Sequence, residues 1–166
     1  AAYPNMPIGV EPYVSSREHI RRLKDAGADE IKLNLESPRR DVFARVCPDL
    51  DYDAVMGLLK DAVEIFGRGR VVSNIIYGMG ETDADLDVAM ERLCSMGVLP
   101  GLRVNDMNRA RLLEAGVRGE QVSPDRAMRL AEMQKSAMRR HGLTTETSVT
   151  MCFACKCCDL VPFRDF

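Results

Sequence analysis

No run of apolar residues in this 166-residue chain approaches the length that crosses a bilayer, and no stretch reads as a secretory signal. Neither charge sign dominates: 23 Lys and Arg stand against 25 Asp and Glu, and the cations are evenly spread. This leaves no electrostatic footprint for nucleic acid or for an anionic membrane. Low-complexity tracts, interdomain linkers and repeats beyond a strand–helix alternation are also missing. Histidine is scarce. His19 and His141 both fall in helical patterns, without ligand spacing, and take no catalytic role. An initiating Met is missing too, since the chain opens at Ala1.

What is present is an ordinary globular composition, 46% apolar and 29% charged, of a size for one domain. Six cysteines are many, and their placement is uneven. Cys47 and Cys94 are isolated and read as core thiols. Cys152, Cys155, Cys157 and Cys158 crowd together, too close to bridge one another easily, which favours metal or cluster ligation in a reducing compartment. The expected location is the cytoplasm.

The hydrophobic periodicity alternates between strand and helix. Strands are expected at Pro7–Glu11, Glu30–Glu36, Val71–Tyr77 and Val98–Asn105, with a fifth near Ser148–Met151. Helices are expected after a Ser15/Glu18 capping box, from Ser37-Pro38, after Asp51, after Thr82, over Asn108–Ala115 and from Ser123-Pro124 to Gly142. Within the last of these, the basic residues from Arg126 to Arg140 read as a solvated face. Such βα order implies a parallel sheet. A closed (β/α)8 barrel needs about 250 residues, so the fold class is α/β, an incomplete parallel (β/α) barrel with a Cys-rich tail. The barrel part is placed at 1–150 and the tail at 151–166.

Side chains alternate along a strand. Lys32, Asn34 and Glu36 therefore share a face opposite Ile31, Leu33 and Leu35, and Glu11, Arg103 and Asn105 occupy comparable polar positions. An antiparallel sheet with one wet face gives the same alternation. In a covered parallel sheet, a polar face lines an enclosed interior, with Asn34, Glu36, Arg103 and Asn105 near the C-terminal strand ends where barrel sites gather.

Two segments carry a resemblance. Lys24-Asp25-Ala26-Gly27-Ala28-Asp29 leads into Ile31-Lys32-Leu33-Asn34-Leu35-Glu36-Ser37-Pro38, and Asn74-Ile75-Ile76-Tyr77-Gly78-Met79-Gly80-Glu81 follows on the third strand. In this order they resemble the fourth- and fifth-strand motifs of the radical S-adenosylmethionine superfamily, in particular its biotin-synthase-like branch. The resemblance covers roughly Ile8 to Asn105. It implies that Asn34 and Glu36 meet the ribose and amino acid parts of S-adenosylmethionine, that Ile76, Gly78, Gly80 and Glu81 form the adenine side, and that Arg103 lines the pocket. Asn74 stands where the motif's first Gly is expected. Glu11 and Asn105 are candidates for polar groups of the substrate.

The family's Cys-x3-Cys-x2-Cys motif is not in this sequence, so the ligands of its [4Fe–4S] cluster would lie outside it. The expectation is an N-terminally truncated, C-terminal part of such an enzyme, inactive alone. Its parent would reductively cleave S-adenosylmethionine to a 5′-deoxyadenosyl radical that abstracts hydrogen from a small-molecule substrate, with a reductant protein such as ferredoxin or flavodoxin. The tail cysteines Cys152, Cys155, Cys157 and Cys158 would hold an additional iron–sulfur cluster or zinc. The alternatives from other classes are a nonredox metal-binding module and a nucleotide-binding βα protein, although Gly78-x-Gly80 lacks the third Gly of a dinucleotide fingerprint.

Overall fold

The β-branched run Val71–Tyr77 forms the central strand, because Val and Ile pack well on a pleated surface buried on both sides. The computed structural model describes residues 5–105, 109–157 and 159–166. Within them the strands are β1 (Gly9–Val10), β2 (Glu30–Lys32), β3 (Val71–Tyr77) and β4 (Val98–Val104). All three pairings are parallel, and the sheet order β1-β2-β3-β4 follows the chain. A doubly wound sheet reverses its order at a switch point, whereas a barrel wall adds each strand on the same side. The order observed is that of a barrel wall.

The helices are α1 (Arg17–Asp25), α2 (Arg40–Val46), α3 (Tyr52–Phe66), α4 (Asp83–Met96), α5 (Arg109–Glu114), α6 (Pro124–Arg140) and α7 (Met151–Cys155). Asp51 caps α3 and Ser123 caps α6, each accepting from a backbone N–H of the first turn. Thr82 and Asp85 form a reciprocal capping box on α4, which ends at the left-handed Gly97. Leu59, Ala62 and Phe66 of α3, and Leu86, Met90 and Leu93 of α4, join Ile31, Ile75 and Leu99 in the main core.

Several boundaries differ from expectation. The N-cap of α1 is Ser16, whose hydroxyl accepts from His19 N, while Glu18 pairs with Arg22 instead of closing a box with Ser15. α2 starts at Arg40, because the Ser37 hydroxyl accepts from Arg39 N and holds a turn ahead of the helix. Asn108, the expected start of α5, lies outside the described residues. Residues 148–150 form no strand, and α7 begins immediately after them.

That segment docks on a buried charge instead. Glu30 is fully buried at the start of β2. Its carboxylate accepts from Val149 N and Thr150 N at 2.9 Å each and from Ser148 Oγ at 3.2 Å. Thr150 Oγ1 and Arg70, at 3.1 Å, also donate to it. Beside it, Gly9 has no room for a Cβ, which would stand 2.3 Å from Thr150 Oγ1. The chain then crosses the polar face of the sheet. Cys152 Sγ comes within 3.8 Å of Lys32 Nζ. The Phe153 ring lies over Gly101, 3.8 Å from where a Cβ would be, and belongs to the main core together with Val161. The inner face is therefore covered in part by the chain's own tail, over Lys32 and Gly101, while Glu11 stays exposed.

A carboxylate that satisfies this many donors leaves them unpaired when removed. Glu30→Ala should cost about 3–5 kcal/mol in urea unfolding and should speed hydrogen exchange at Val149 and Thr150. A loss below about 1 kcal/mol, with those amides still protected, would show that the tail is held elsewhere.

Candidate functional site

The site begins where β2 leaves its ladder. Leu33 N still donates to Val72 O, but the next two bonds go to side chains: Leu35 N donates to Ser73 Oγ at 3.0 Å, and Asn74 N to Asn34 Oδ1 at 3.2 Å. Backbone pairing resumes at Glu36, which faces Ile75, one residue later than a regular register allows. This is a β-bulge, a device that re-aims side chains next to functional sites. Glu36 completes it with a left-handed φ of 64°, a conformation uncommon outside Gly, held by Glu36 N donating to Asn74 O and Ile76 N to Glu36 O.

The bulge gathers four polar side chains at the C-terminal end of β1 and β2. Lys32, nearly buried, pairs with Glu11 at 3.0 Å, and Asn34 Nδ2 donates to the other Glu11 oxygen at 2.9 Å. With Glu36 they line a cavity of about 260 Å³, whose apolar side comes from Leu50, Val55 and Leu58. Burial pushes the Glu36 carboxyl above its ordinary value, Asn34 offsets part of this, and the Glu11 charge adds to the rise while Lys32 opposes it. The cavity can thus offer one half-buried carboxylate and one amide to a ligand bearing hydroxyl or ammonium donors, beside an internally compensated Lys–Glu pair. That donor and acceptor set fits the ribose and amino acid parts of S-adenosylmethionine.

The Gly78–Glu81 loop stands at the same end of the sheet, after β3. Both Glu81 oxygens are used internally: one accepts from Gly78 N at 2.7 Å, the other from Met79 N at 2.8 Å. Glu81 therefore shapes the loop. Gly78 has a φ of 93°, and a Cβ there would stand 3.0 Å from Val122. Asn105 Nδ2 reaches Gly78 O at 3.5 Å, and Arg39 Nη1 reaches Gly80 O at 3.1 Å. Ile76 and Arg103 sit opposite one another on the inner face, and Arg103 pairs with Asp159 of the tail at 3.6 Å. So Glu11, Asn34 and Glu36 share one cavity, whereas Ile76, Gly78, Gly80, Glu81, Arg103 and Asn105 occupy the neighbouring strand ends without lining it.

Three residues gain roles that the sequence pattern did not signal. Lys32 was legible only as a polar strand position. Glu30 looked like another and proves to be the tail anchor. Arg126 does not belong to a solvated face: it is 15% exposed and pairs with Glu81, Asp83 and Glu120. One charged residue on a helix looks like any other until the loop it holds is in place. Arg129 and Arg140 are exposed as expected.

Cys155 and Cys157 are exposed on either side of Lys156, while Cys152 is half-buried toward Lys32; Cys158 lies outside the described residues. Among the described residues, no three His, Cys, Asp or Glu side chains converge on one point. Burial raises the Cys47 thiol to about 11, with the Glu36 charge adding, and the Cys94 thiol to about 12, with Glu91 adding. Two units above an ordinary thiol leaves about a hundredfold less thiolate at neutral pH. Alkylation at pH 8 in reducing, metal-free buffer should therefore label Cys155 and Cys157 first and Cys94 last, as read by peptide mass spectrometry. Labelling of Cys94 at the rate of Cys155 would contradict its burial.

Comparisons with known proteins bear on the family and the fold. The family model of the radical SAM superfamily matches residues 4–93. Lipoyl synthase of Caldanaerobacter subterraneus subsp. tengcongensis is 32% identical over 84 residues, covering 51% of this chain and 29% of that protein. Lipoyl synthase of Haemophilus influenzae is 32% identical over 79 residues, 48% of this chain and 24% of that protein. Coproporphyrinogen III oxidase of Escherichia coli, described as a radical SAM enzyme, superposes on 82% of this chain and 32% of its own, with a TM-score of 0.60 at 16% identity, a likeness of fold. The chain thus spans 24–32% of the length of these proteins. With a family match over more than half its residues and a parallel βα wall to carry it, the chain belongs to the radical S-adenosylmethionine superfamily.

Proposed function

We propose that this chain is the part of a radical S-adenosylmethionine enzyme that holds the ribose, amino acid and adenine portions of the cofactor. The observation that carries this reading is the polar cluster of Glu11, Lys32, Asn34 and Glu36, assembled by a β-bulge at the C-terminal end of parallel strands. The family's chemistry uses a [4Fe–4S] cluster that, when reduced, would donate one electron to S-adenosylmethionine, breaking its C5′–S bond to release methionine and the 5′-deoxyadenosyl radical that abstracts hydrogen. In this proposal the ligands of that cluster, a small-molecule substrate and an electron donor such as ferredoxin or flavodoxin lie outside the chain, and the enzyme is cytoplasmic. No helix among the described residues is long and apolar enough to cross a membrane.

This chain's residues act by positioning and shielding. Glu36 accepts from ribose hydroxyls, and Asn34 both donates and accepts. Ile76 gives an apolar wall to the adenine. Gly78 and Gly80 let the loop backbone approach a flat base, and Glu81 keeps that backbone in place by binding its N–H groups. Arg103 is available to a carboxylate when Asp159 yields it, and Glu11 and Asn105 remain candidates for substrate contacts. The tail, 151–166, is proposed as a separate metal-holding segment on the barrel part, 1–150, with Cys152, Cys155, Cys157 and Cys158 as thiolate ligands of a cluster or zinc.

In the full-length enzyme, Glu36→Ala should weaken S-adenosylmethionine binding by about one to two decades, the loss of hydrogen bonds to a charged group, with helix content unchanged. Because burial holds the Glu36 carboxyl up and hydroxyl donors favour its ionised form, affinity should rise with pH through its titration. Glu36→Gln should flatten that rise. Unchanged affinity by calorimetry would remove Glu36 from the site.

For the tail, anaerobic reconstitution with iron and sulfide, and separately with zinc, should leave metal bound beyond that of the N-terminal cluster. Serine at Cys152, Cys155 and Cys158 together should abolish it. Retention unaffected by the triple change would end the tail assignment and with it the reading of the chain as a metal-binding module.

A further inference from the structure

Asn74, in the middle of β3, is only 6% exposed, and its main chain is fully used. Asn74 N donates to Asn34 Oδ1, and Asn74 O accepts from Glu36 N. Its side-chain amide is different. Among the described residues nothing hydrogen-bonds to it, yet neither of its polar atoms is sealed from water: the one sealed and unpartnered side-chain nitrogen or oxygen there is Gln134 Oε1. Buried polar groups are nearly always paired, so an amide that is open, unpaired and fixed on a central strand awaits a partner from outside.

The space around it is built. Asn74 lies two residues before Ile76, on the same inner face, directly opposite Gly101 of β4. Gly101 has no positive φ, so close approach is what calls for a glycine there. A Cβ on Gly101 would stand 2.5 Å from Asn74 Oδ1. The carbonyl branch of the amide therefore lies over Gly101, and the Nδ2 branch is turned away from it. The Phe153 ring, 3.8 Å from the same Cβ position, adds an apolar wall. Asn74 also stands where the strand motif of the resembled family has Gly, so this chain adds an amide to a face that the motif leaves bare.

The Nδ2 group can only donate, so what it takes is an acceptor. The cations on this face are matched, Lys32 by Glu11 at 3.0 Å and Arg103 by Asp159 at 3.6 Å, and Glu36 adds a further carboxylate. An anionic ligand would meet like charge, which leaves a neutral acceptor. We propose that Asn74 binds the substrate, its Nδ2 donating to the carbonyl oxygen of an uncharged amide or ester whose apolar chain lies against Phe153. The inference rests on the cofactor reading of the Glu11, Asn34 and Glu36 cluster, because the adjoining cofactor is what makes a ligand on this face the substrate.

The test is an NMR titration of the full-length enzyme, carrying isotope-labelled asparagine, with hexanamide, methyl hexanoate and hexanoate. Both neutral probes should shift the Asn74 side-chain N–H resonances saturably, and the tighter of the two tells an amide from an ester. Hexanoate should bind at least about tenfold more weakly, for want of an unmatched cation. Asn74→Asp, which keeps the shape and loses the donor, should weaken both neutral probes about fivefold to tenfold, the worth of one neutral hydrogen bond. Affinity in the variants is read from the methyl groups of Val72 and Leu99 on the same face. Asn74→Gly, the residue of the motif, should act likewise and decides alone if the aspartate variant does not fold. Calorimetry with S-adenosylmethionine on the unsubstituted enzyme separates the two readings. Cofactor binding without saturable probe shifts overturns the role of Asn74 alone, and absence of cofactor binding overturns the whole site. Neutral probes that keep full affinity in Asn74→Gly, or that bind no better than hexanoate, would make the amide a water site and overturn the proposal.

Discussion

The carboxylate of Glu30 holds together parts of the chain that are nearly 120 residues apart in sequence. A buried charge is tolerated only where donors surround it. Here the donors are Arg70 at the entry to β3 and the backbone and hydroxyls of Ser148, Val149 and Thr150. Because this anchor fixes where the tail begins, it also fixes what the tail covers. Thr150 falls against Gly9, Cys152 against Lys32, and Phe153 against Gly101. The polar inner face, which would be unstable against water-free packing and unremarkable against solvent, becomes a structured interior.

A second constraint acts at the other end of β2. The one-residue bulge after Leu33 trades two ladder bonds for side-chain substitutes from Ser73 and Asn34. Glu36 then sits in a conformation that local sequence does not favour, stabilised because its N–H and C=O are both paired with β3. Strained backbone that the surrounding structure over-determines clusters at functional sites, which is one reason for the proposal that places Glu36 on the ligand. Glu81 does the same work for the neighbouring loop from the side-chain direction. Its carboxylate satisfies two backbone N–H groups and is itself held by Arg126 of α6, so the first turn of a helix far along the chain helps to shape a loop at the strand ends.

Much of the fold is legible in the sequence. β3 coincides with the β-branched run, the capping residues Asp51, Thr82 and Ser123 stand where expected, and the βα order gives a parallel sheet. These features are local: they depend on propensity, periodicity and caps within a few residues. The start of α2 was misplaced because Ser37 spends its hydroxyl on a turn rather than a cap. The expected strand near Ser148 is absent because the N–H groups of Val149 and Thr150, which a ladder would need, donate to the Glu30 carboxylate instead.

For the candidate site the division is similar. The sequence by itself determined which residue types stand at the ends of the parallel strands, Glu11, Asn34, Glu36 and Arg103, since alternation along a strand and the order of βα units follow from short-range geometry. Only the tertiary structure decided that Lys32 joins Glu11 and Asn34, that Arg126 braces the Gly78–Glu81 loop, and that the tail lies over the inner face with Asp159 on Arg103. The physical reason is that an ion pair or a hydrogen bond between distant residues leaves no periodic trace in the chain. Its partners are chosen by burial, which is a property of the packed molecule and not of any segment.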